Sequence, residues 1–200
     1  EFCTVKAMFG RKYRYKPVED TIKEVETLLN IEKKLFFFVD DNFIGNRKHT
    51  KELLHELISL KIVYFAEAAL NLSKDEELLS LLAESGCRKV IIGFESLVSA
   101  NLKQMGKDES YKVEEYAEDI IKIQSFGIEI QGSFMFGYDF DDDTVFEETV
   151  NFINNANLCA ATLCILTPFP GTRLFQRFDR EGRLLYNDWR KYNGRQVCFK

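Results

Sequence analysis

Carboxylate, amide and hydroxyl side chains recur in this sequence directly after short apolar runs. Asp40-Asp41-Asn42 follows Leu35–Val39, and Glu95-Ser96 closes Lys89–Phe94. Glu67 lies inside the run Ile62–Ala69, with Asn71 just beyond it. Gln131 and Ser133 lie inside Ile128–Phe136, which ends at Gly137-Tyr138-Asp139, and Thr167-Pro168-Phe169-Pro170-Gly171-Thr172 closes Cys159–Leu166. Groups of this kind are hydrogen-bond partners for a polar ligand. Polar residues also gather wherever strands meet loops, so no single position marks a site. Glu67 and Glu95 carry more weight, because a glutamate in or at the end of an apolar strand must find a partner or shift its pKa. A cleft that binds something polar meets that need for both.

Other arrangements fail on spacing. Gly132-Ser133-Phe134-Met135-Phe136-Gly137 has phosphate-loop glycines, but Tyr138-Asp139 replaces the required Lys-Ser/Thr. Asp139-Phe140-Asp141-Asp142-Asp143 opens like a calcium loop, yet Thr144 and Val150 stand where glycine and the bidentate glutamate belong. Its carboxylates are expected instead to favour a helix N-terminus. His49 and His55 do not share a helix face at ligand spacing, and no serine nucleophile elbow exists. The cysteines at 3, 87, 159, 164 and 198 lack zinc spacing, and their odd number and scatter argue for a reducing, cytoplasmic setting.

The elements that must position these groups alternate. Helical patterns cover Pro17 to about Lys33 (Val18, Ile22, Val25 and Leu29 inward) and His49 to Leu60, and a third helix opens at Ser73, with Ser73-Lys74-Asp75-Glu76 as its capping box. Further helices are predicted over Ser99 to Met105, Tyr111 to Phe126 (Val113, Tyr116, Ile120 and Ile121 inward), Asp142 to about Asn155 (Val145, Phe146, Val150 and Ile153 inward) and Thr172 to Glu181. The five apolar runs between them are strands. Continuously apolar strands alternating with helices predict a parallel sheet buried on both faces. A full eight-unit barrel takes ~250 residues, so 200 hold about five to six βα units. The expected fold is α/β: one domain over residues 1–200, a partial TIM-type barrel with its first strand missing and an irregular tail at 183–200. Function then sits at the strands' carboxyl ends.

Composition narrows the class. Hydrophobic residues make up 46% and charged residues 30%, which excludes a disordered chain. A net charge of −5 without a basic stripe argues against nucleic-acid binding. No apolar run nears the ~20 residues that span a bilayer, and the first residues lack the form of a signal peptide.

Taken in order, these segments resemble the core domain of the radical S-adenosylmethionine (SAM) superfamily, most of all the branch with a preceding cobalamin-binding domain. Phe2-Cys3 with Phe9-Gly10-Arg11-Lys12-Tyr13-Arg14-Tyr15-Lys16-Pro17-Val18-Glu19 is similar to the stretch leaving the family's CxxxCxxC cluster loop. Phe38-Val39-Asp40-Asp41-Asn42-Phe43 resembles the segment after the second strand, where the family's glycine-glycine-glutamate is not literal here. Ile92-Gly93-Phe94-Glu95-Ser96 resembles the fourth-strand motif. Phe136-Gly137-Tyr138 through Phe146-Glu147-Glu148-Thr149 resembles the fifth strand and its helix, and Thr167 to Thr172 the sixth strand.

The resemblance implies a 4Fe-4S cluster held by three thiolates, SAM chelated to the open iron, reductive cleavage to a 5′-deoxyadenosyl radical, and an electron donor such as flavodoxin or ferredoxin. In the cobalamin branch it further implies a methyltransferase using cobalamin bound upstream. It implies Cys3 as a metal ligand. Asp40, Asp41 or Asn42 would lie near the SAM amino group, Glu95 and Ser96 near its polar groups or ribose, and the backbone from Met135 to Gly137 beside the adenine. By the motif's spacing, the other two cluster cysteines precede Glu1, so this chain alone is expected to hold no cluster and to be inactive. Two other readings remain at this point: a barrel lyase or aldolase using Glu67 or Glu95 as base, without metal, and a non-catalytic binding or scaffold module. With its first strand missing, Leu35–Val39 is an edge expected to promote self-association, unless residues 2–15 fold over it.

Overall fold

A computed structural model describes residues 2–10, 13–107 and 112–200. Its elements are α1 (Val5–Phe9), α2 (Val18–Leu29), β1 (Leu35–Phe38), α3 (Arg47–Ile58), β2 (Val63–Glu67), α4 (Glu76–Glu84), β3 (Cys87–Glu95), α5 (Ser99–Met105), α6 (Tyr116–Gln124), β4 (Glu129–Phe136), α7 (Val145–Asn155), β5 (Ala160–Ile165) and α8 (Arg173–Arg180). All five strands are parallel and lie in sequence order, β1-β2-β3-β4-β5. The sheet curls into a half-barrel with helices on its convex side, so every strand delivers its carboxyl end to one rim.

Alternation along each strand separates two environments. Tyr64, Ala66, Val90, Ile92, Phe94, Ile130 and Phe134 point to the helices and are buried in one apolar core with Leu53, Leu54, Leu57, Leu78, Leu79, Ile120 and Ile123. The other register, including Phe65, Glu67, Lys89, Ile91, Gln131, Ser133 and Met135, lines the concave face and is half-buried. There Lys89 Nζ sits 4.6 Å from the Phe65 ring centre and donates to Gln131 Oε1 at 3.1 Å, while Gln131 Nε2 donates to Thr162 Oγ1 at 3.2 Å.

Local details correct several sequence readings. The capping box at Ser73 does not form: Asp75 is the N-cap of α4, its carboxylate accepting from Leu78 N at 3.0 Å, and Ser73 Oγ donates instead to Asp119 Oδ1 at 2.7 Å. The Ser73 hydroxyl is turned to a tertiary acceptor, and the free helix N–H is left to Asp75. The Tyr111–Phe126 helix opens as a 3-10 turn at Val113–Glu115 before α6, and Tyr111 itself lies outside the described residues. Ile121 on α6 faces outward and Ile123 takes its place in the core. On α7, Phe146 and Val150 are exposed while Val145 and Thr149 are buried.

Residues 183–200 contain one 3-10 turn (Trp189–Lys191) and an isolated antiparallel bridge between Leu184 and Phe199. They pack back as a second, smaller core, in which Tyr192, Cys198 and Phe199 meet Tyr138, Leu166, Leu174 and Phe178. Ile165 N also donates to Gly194 O, tying this tail to the end of β5. Among the described residues β1 is an edge strand that pairs only with β2, and its Leu35 and Phe37 are 63% and 47% exposed. Tyr13 and Tyr15 lie instead at the rim, against Gly45 and His49.

Candidate functional site

β1 ends at Phe38 and β3 at Glu95, and because the strands are parallel their following loops meet at the same rim. Asp40 and Asp41 are exposed there. Asn42 is partly buried; its Oδ1 accepts from Ala69 N at 3.3 Å, while the next residue's N–H donates to Glu67 O at 2.8 Å. The β1 loop is thus sewn to the end of β2. Asn42 is partly committed to this, whereas Asp40 and Asp41 are open to a ligand. Glu67 faces the concave side beside them; burial, followed by the Asp41 charge, raises its pKa.

Glu95 is placed by strain. Its φ is 69°, a left-handed conformation uncommon for a residue with a side chain, at a register shift between Gly93 and Glu95. The kink lays its carboxylate over Gly93, where a Cβ would come within 2.6 Å of Oε1, so glycine at 93 makes room for it. Lys107 Nζ donates to Oε1 at 2.9 Å. With its side chain 14% exposed, Glu95 is a partly desolvated carboxylate on the concave side of the rim.

Ser96 is only 4% exposed. Its oxygen accepts from Val98 N at 3.0 Å and from Asn101 Nδ2 at 3.1 Å, so this hydroxyl braces its own loop. Asn101, fully buried, reaches onward: Nδ2 also donates to Asp141 Oδ1 at 2.7 Å and Oδ1 accepts from Phe140 N at 3.2 Å. Asp141 Oδ2 accepts from Gly137 N at 2.8 Å and Tyr138 N at 3.0 Å. Gly137 is exposed with φ +105°, and Met135 is half-buried one turn of the pleat before it.

The acidic run therefore does more than favour a helix N-terminus. Asp141 pins the loop inward, Asp142 Oδ1 accepts from Thr144 N at 2.9 Å, and Asp139 pins it outward. Asp139 accepts from Arg177 (2.6 Å), Arg183 (2.7 Å) and Gln104 (2.7 Å). Partial burial alone would raise its pKa; hydrogen bonds from Arg177, Gln104 and Arg183 outweigh that and hold it at about 2. Tyr138, between the two pins, is buried with its hydroxyl unpartnered among the described residues, and burial pushes its pKa up.

Cys3 is exposed, just before α1. Its neighbour Phe2 lines a small cavity with Gln104, Met105, Tyr138, Leu174 and Arg177, and Ala7 approaches Gly171, which places Cys3 at the β4–β5 side of the same rim. The other cysteines do not join it: Cys87 and Cys198 are buried, Cys159 lies just before β5 and Cys164 lies within it. Among the described residues no three His, Cys, Asp or Glu side chains converge as metal ligands. The rim thus gathers Asp40, Asp41, Glu95, Gly137 and Cys3. The sequence reading missed Asn101, Lys107 and the separate duties of Asp139 and Asp141; an amide two residues into a predicted helix was the one available signal for Asn101.

The family model described as "Radical SAM superfamily" matches residues 1–153. The chain is 32% identical to a bacteriochlorophyllide d C-12(1)-methyltransferase of Chlorobaculum tepidum, over 100% of this chain and 44% of that protein. It is 34% identical to a hopanoid C-2 methylase of Rhodopseudomonas palustris, over 96% and 38%. The chain thus spans less than half the length of these curated relatives. In fold it is similar to the radical SAM methyltransferase TsrM of Kitasatospora setae with cobalamin and a 4Fe-4S cluster bound (TM-score 0.72, 18% identity, 86% of this chain and 32% of that one). It is also similar to the cobalamin-dependent SAM radical enzyme OxsB with aqua-cobalamin bound (TM-score 0.65, 19% identity, 94% and 35%).

Proposed function

Because the chain belongs to the radical SAM superfamily, we propose that it is the SAM-binding half-barrel of an enzyme that reductively cleaves SAM and serves as a methyltransferase with cobalamin bound by a further domain. The observation that supports this reading is that the loops bearing Asp40, Asp41, Glu95 and Gly137 all follow the carboxyl ends of parallel strands, with the segment of Cys3 packed at the same end. When bound, the cluster and SAM supply a one-electron reduction of the sulfonium, releasing the 5′-deoxyadenosyl radical.

The residues present fit SAM. The open carboxylates of Asp40 and Asp41 attract its ammonium group. Glu95, held over Gly93 by Lys107, offers a fixed acceptor to hydroxyl donors of the ribose. Gly137, exposed and free of a side chain, lets a flat ring approach the backbone from Met135 onward. Ser96 acts by holding the loop that follows Glu95. Phe65, Ile91 and Met135 give the concave wall an apolar lining.

The cluster is fitted in part: Cys3 offers one thiolate, and the other two are assigned to sequence before Glu1. The 200-residue chain alone is accordingly proposed to hold no cluster and to be inactive. We further assign it a reducing, cytoplasmic setting, with a flavodoxin or ferredoxin as electron donor; no helix among the described residues is long and apolar enough to cross a membrane. The position of β1 at the edge of the sheet, paired only with β2 among the described residues, supports self-association of the chain.

The test is anaerobic reconstitution of the full-length protein with iron and sulfide, followed by reduction in the presence of SAM. Formation of 5′-deoxyadenosine is expected. A full-length protein that binds a stoichiometric cluster yet leaves SAM intact overturns the assignment.

A further inference from the structure

We infer that Asn101 and Asp141 are positioning residues that lock the loop after β3 to the loop after β4, so that the two halves of the SAM site are presented as one surface. This rests on the reading of the site given above. The two loops leave neighbouring strands and have no backbone ladder between them beyond the pairing of Glu95 with Phe134. What joins them is a chain of side-chain bonds with no exposed member at its centre. Ser96 Oγ accepts from Asn101 Nδ2, Asn101 Nδ2 donates to Asp141 Oδ1, and Asp141 Oδ2 accepts from the N–H groups of Gly137 and Tyr138. Asn101 Oδ1 closes the circuit by accepting from Phe140 N.

Both donors and the acceptor of the Asn101 amide are bonded, as are both oxygens of Asp141, and Asn101 is fully buried. A buried polar network of this kind fixes one geometry when complete and is costly when one member is removed. The same bonds determine where Gly137 presents its backbone and where the loop bearing Glu95 ends. Glu95 already sits in a strained conformation, so it keeps its place only while its surroundings hold it there. A loosened circuit would let the proposed ribose and adenine contacts move apart by a fraction of an ångström to an ångström, enough to weaken binding of a ligand that spans both.

The chemistry suggests a swap. Asn101→Asp alone puts two carboxylates face to face where one hydrogen bond now measures 2.7 Å. Asp141→Asn alone brings two amide groups together. In the double variant Asn101→Asp/Asp141→Asn, donor and acceptor exchange ends: the new amide donates to the new carboxylate and still accepts from Gly137 N and Tyr138 N, while Ser96 donates its own O–H. A control for general loss of stability is Ser85→Ala, which removes the buried Ser85–Tyr64 hydroxyl pair (2.8 Å) at the opposite, amino end of the sheet.

The experiment is titration of SAM into the reconstituted full-length protein, paired with thermal unfolding of each variant. Asn101→Asp is expected to weaken SAM binding by about tenfold or more, and the double variant to recover to within about threefold of wild type. Ser85→Ala is expected to lower the melting temperature and leave affinity unchanged. Unchanged affinity in Asn101→Asp overturns the inference, as does a Ser85→Ala variant that loses as much affinity as Asn101→Asp, since the effect would then be global. If Asn101→Asp does not fold, the double variant decides alone: wild-type affinity supports the circuit, and a folded double variant with affinity still tenfold down overturns it. A wild-type protein that binds no SAM overturns the site itself, and the positioning role with it.

Discussion

Phe94 and Glu95 are neighbours in the chain and belong to different regimes. Phe94 turns to the convex side, where its ring stacks on Phe134 (5.5 Å, 10° between planes) and meets Tyr116 and Phe152 edge-on at 5.1 and 5.6 Å. These ring contacts around Phe94 are all aromatic, and close packing sets their geometry. Glu95 turns the other way, in a strained conformation, ion-paired to Lys107 at a rim held by charged and amide side chains. The convex region carries the stability, and the rim spends part of it on holding polar groups where a ligand can reach them.

The comparison can be broken most sharply at Phe94. Phe94→Ala should cost about 3–5 kcal/mol, a large share of the ~5–15 kcal/mol typical of a domain. Denaturant unfolding measures it; a loss below about 1 kcal/mol would show that the convex region is not the structural half. At Glu95 the balance should reverse. Glu95→Gln should lower stability by no more than about 1–2 kcal/mol while weakening SAM binding by the full-length protein tenfold or more. Equal affinity in the variant would remove Glu95 from the site.

Asp139 gives the rim a pH signature. Its carboxyl is held at about 2 in the fold, below the ~3.9 of an unfolded aspartate. Because the folded value is the lower one, its contribution is complete above about pH 4 and is lost as pH falls towards 2. Asp139→Asn should be less stable than wild type at neutral pH, and the difference should shrink across that window. A difference that is constant with pH would mean that Arg177 and Arg183 are not acting on the charge. The smallest effect is expected at the open edge. Phe37→Lys should reduce self-association in sedimentation while shifting unfolding free energy by about 0.5 kcal/mol or less; association that persists unchanged would locate the contact elsewhere.

The fold was legible because its signals are redundant. Five apolar runs, each followed by a helical period, dictate a parallel sheet, and the observed strands fall within about two residues of those runs at most ends. Leu35–Phe38 and Ser99–Met105 needed no tertiary information. What escaped was decided by tertiary competition. Ser73 and Asp75 are both competent caps in the sequence, and only the position of Asp119 on α6 shows that Ser73 is otherwise engaged. Phe146 and Val150 follow a helical stripe, yet the helix's buried side runs through Val145 and Thr149. At the site, the strand ends placed Asp40 and Glu95 at one rim, because a parallel topology leaves no other choice. The reach of Asn101 to Asp141 and the outward hold on Asp139 depend on contacts 35 to 44 residues apart in sequence, which no local pattern encodes.

The most direct measurement is a crystal structure of the full-length protein, reconstituted under anaerobic conditions and bound to SAM. The account predicts SAM at the carboxyl rim of the half-barrel, with its ribose within hydrogen-bond reach of Glu95, its adenine beside Gly137, and Cys3 Sγ on the cluster. SAM bound at the amino ends of the strands, or a cluster whose ligands exclude Cys3, would contradict it.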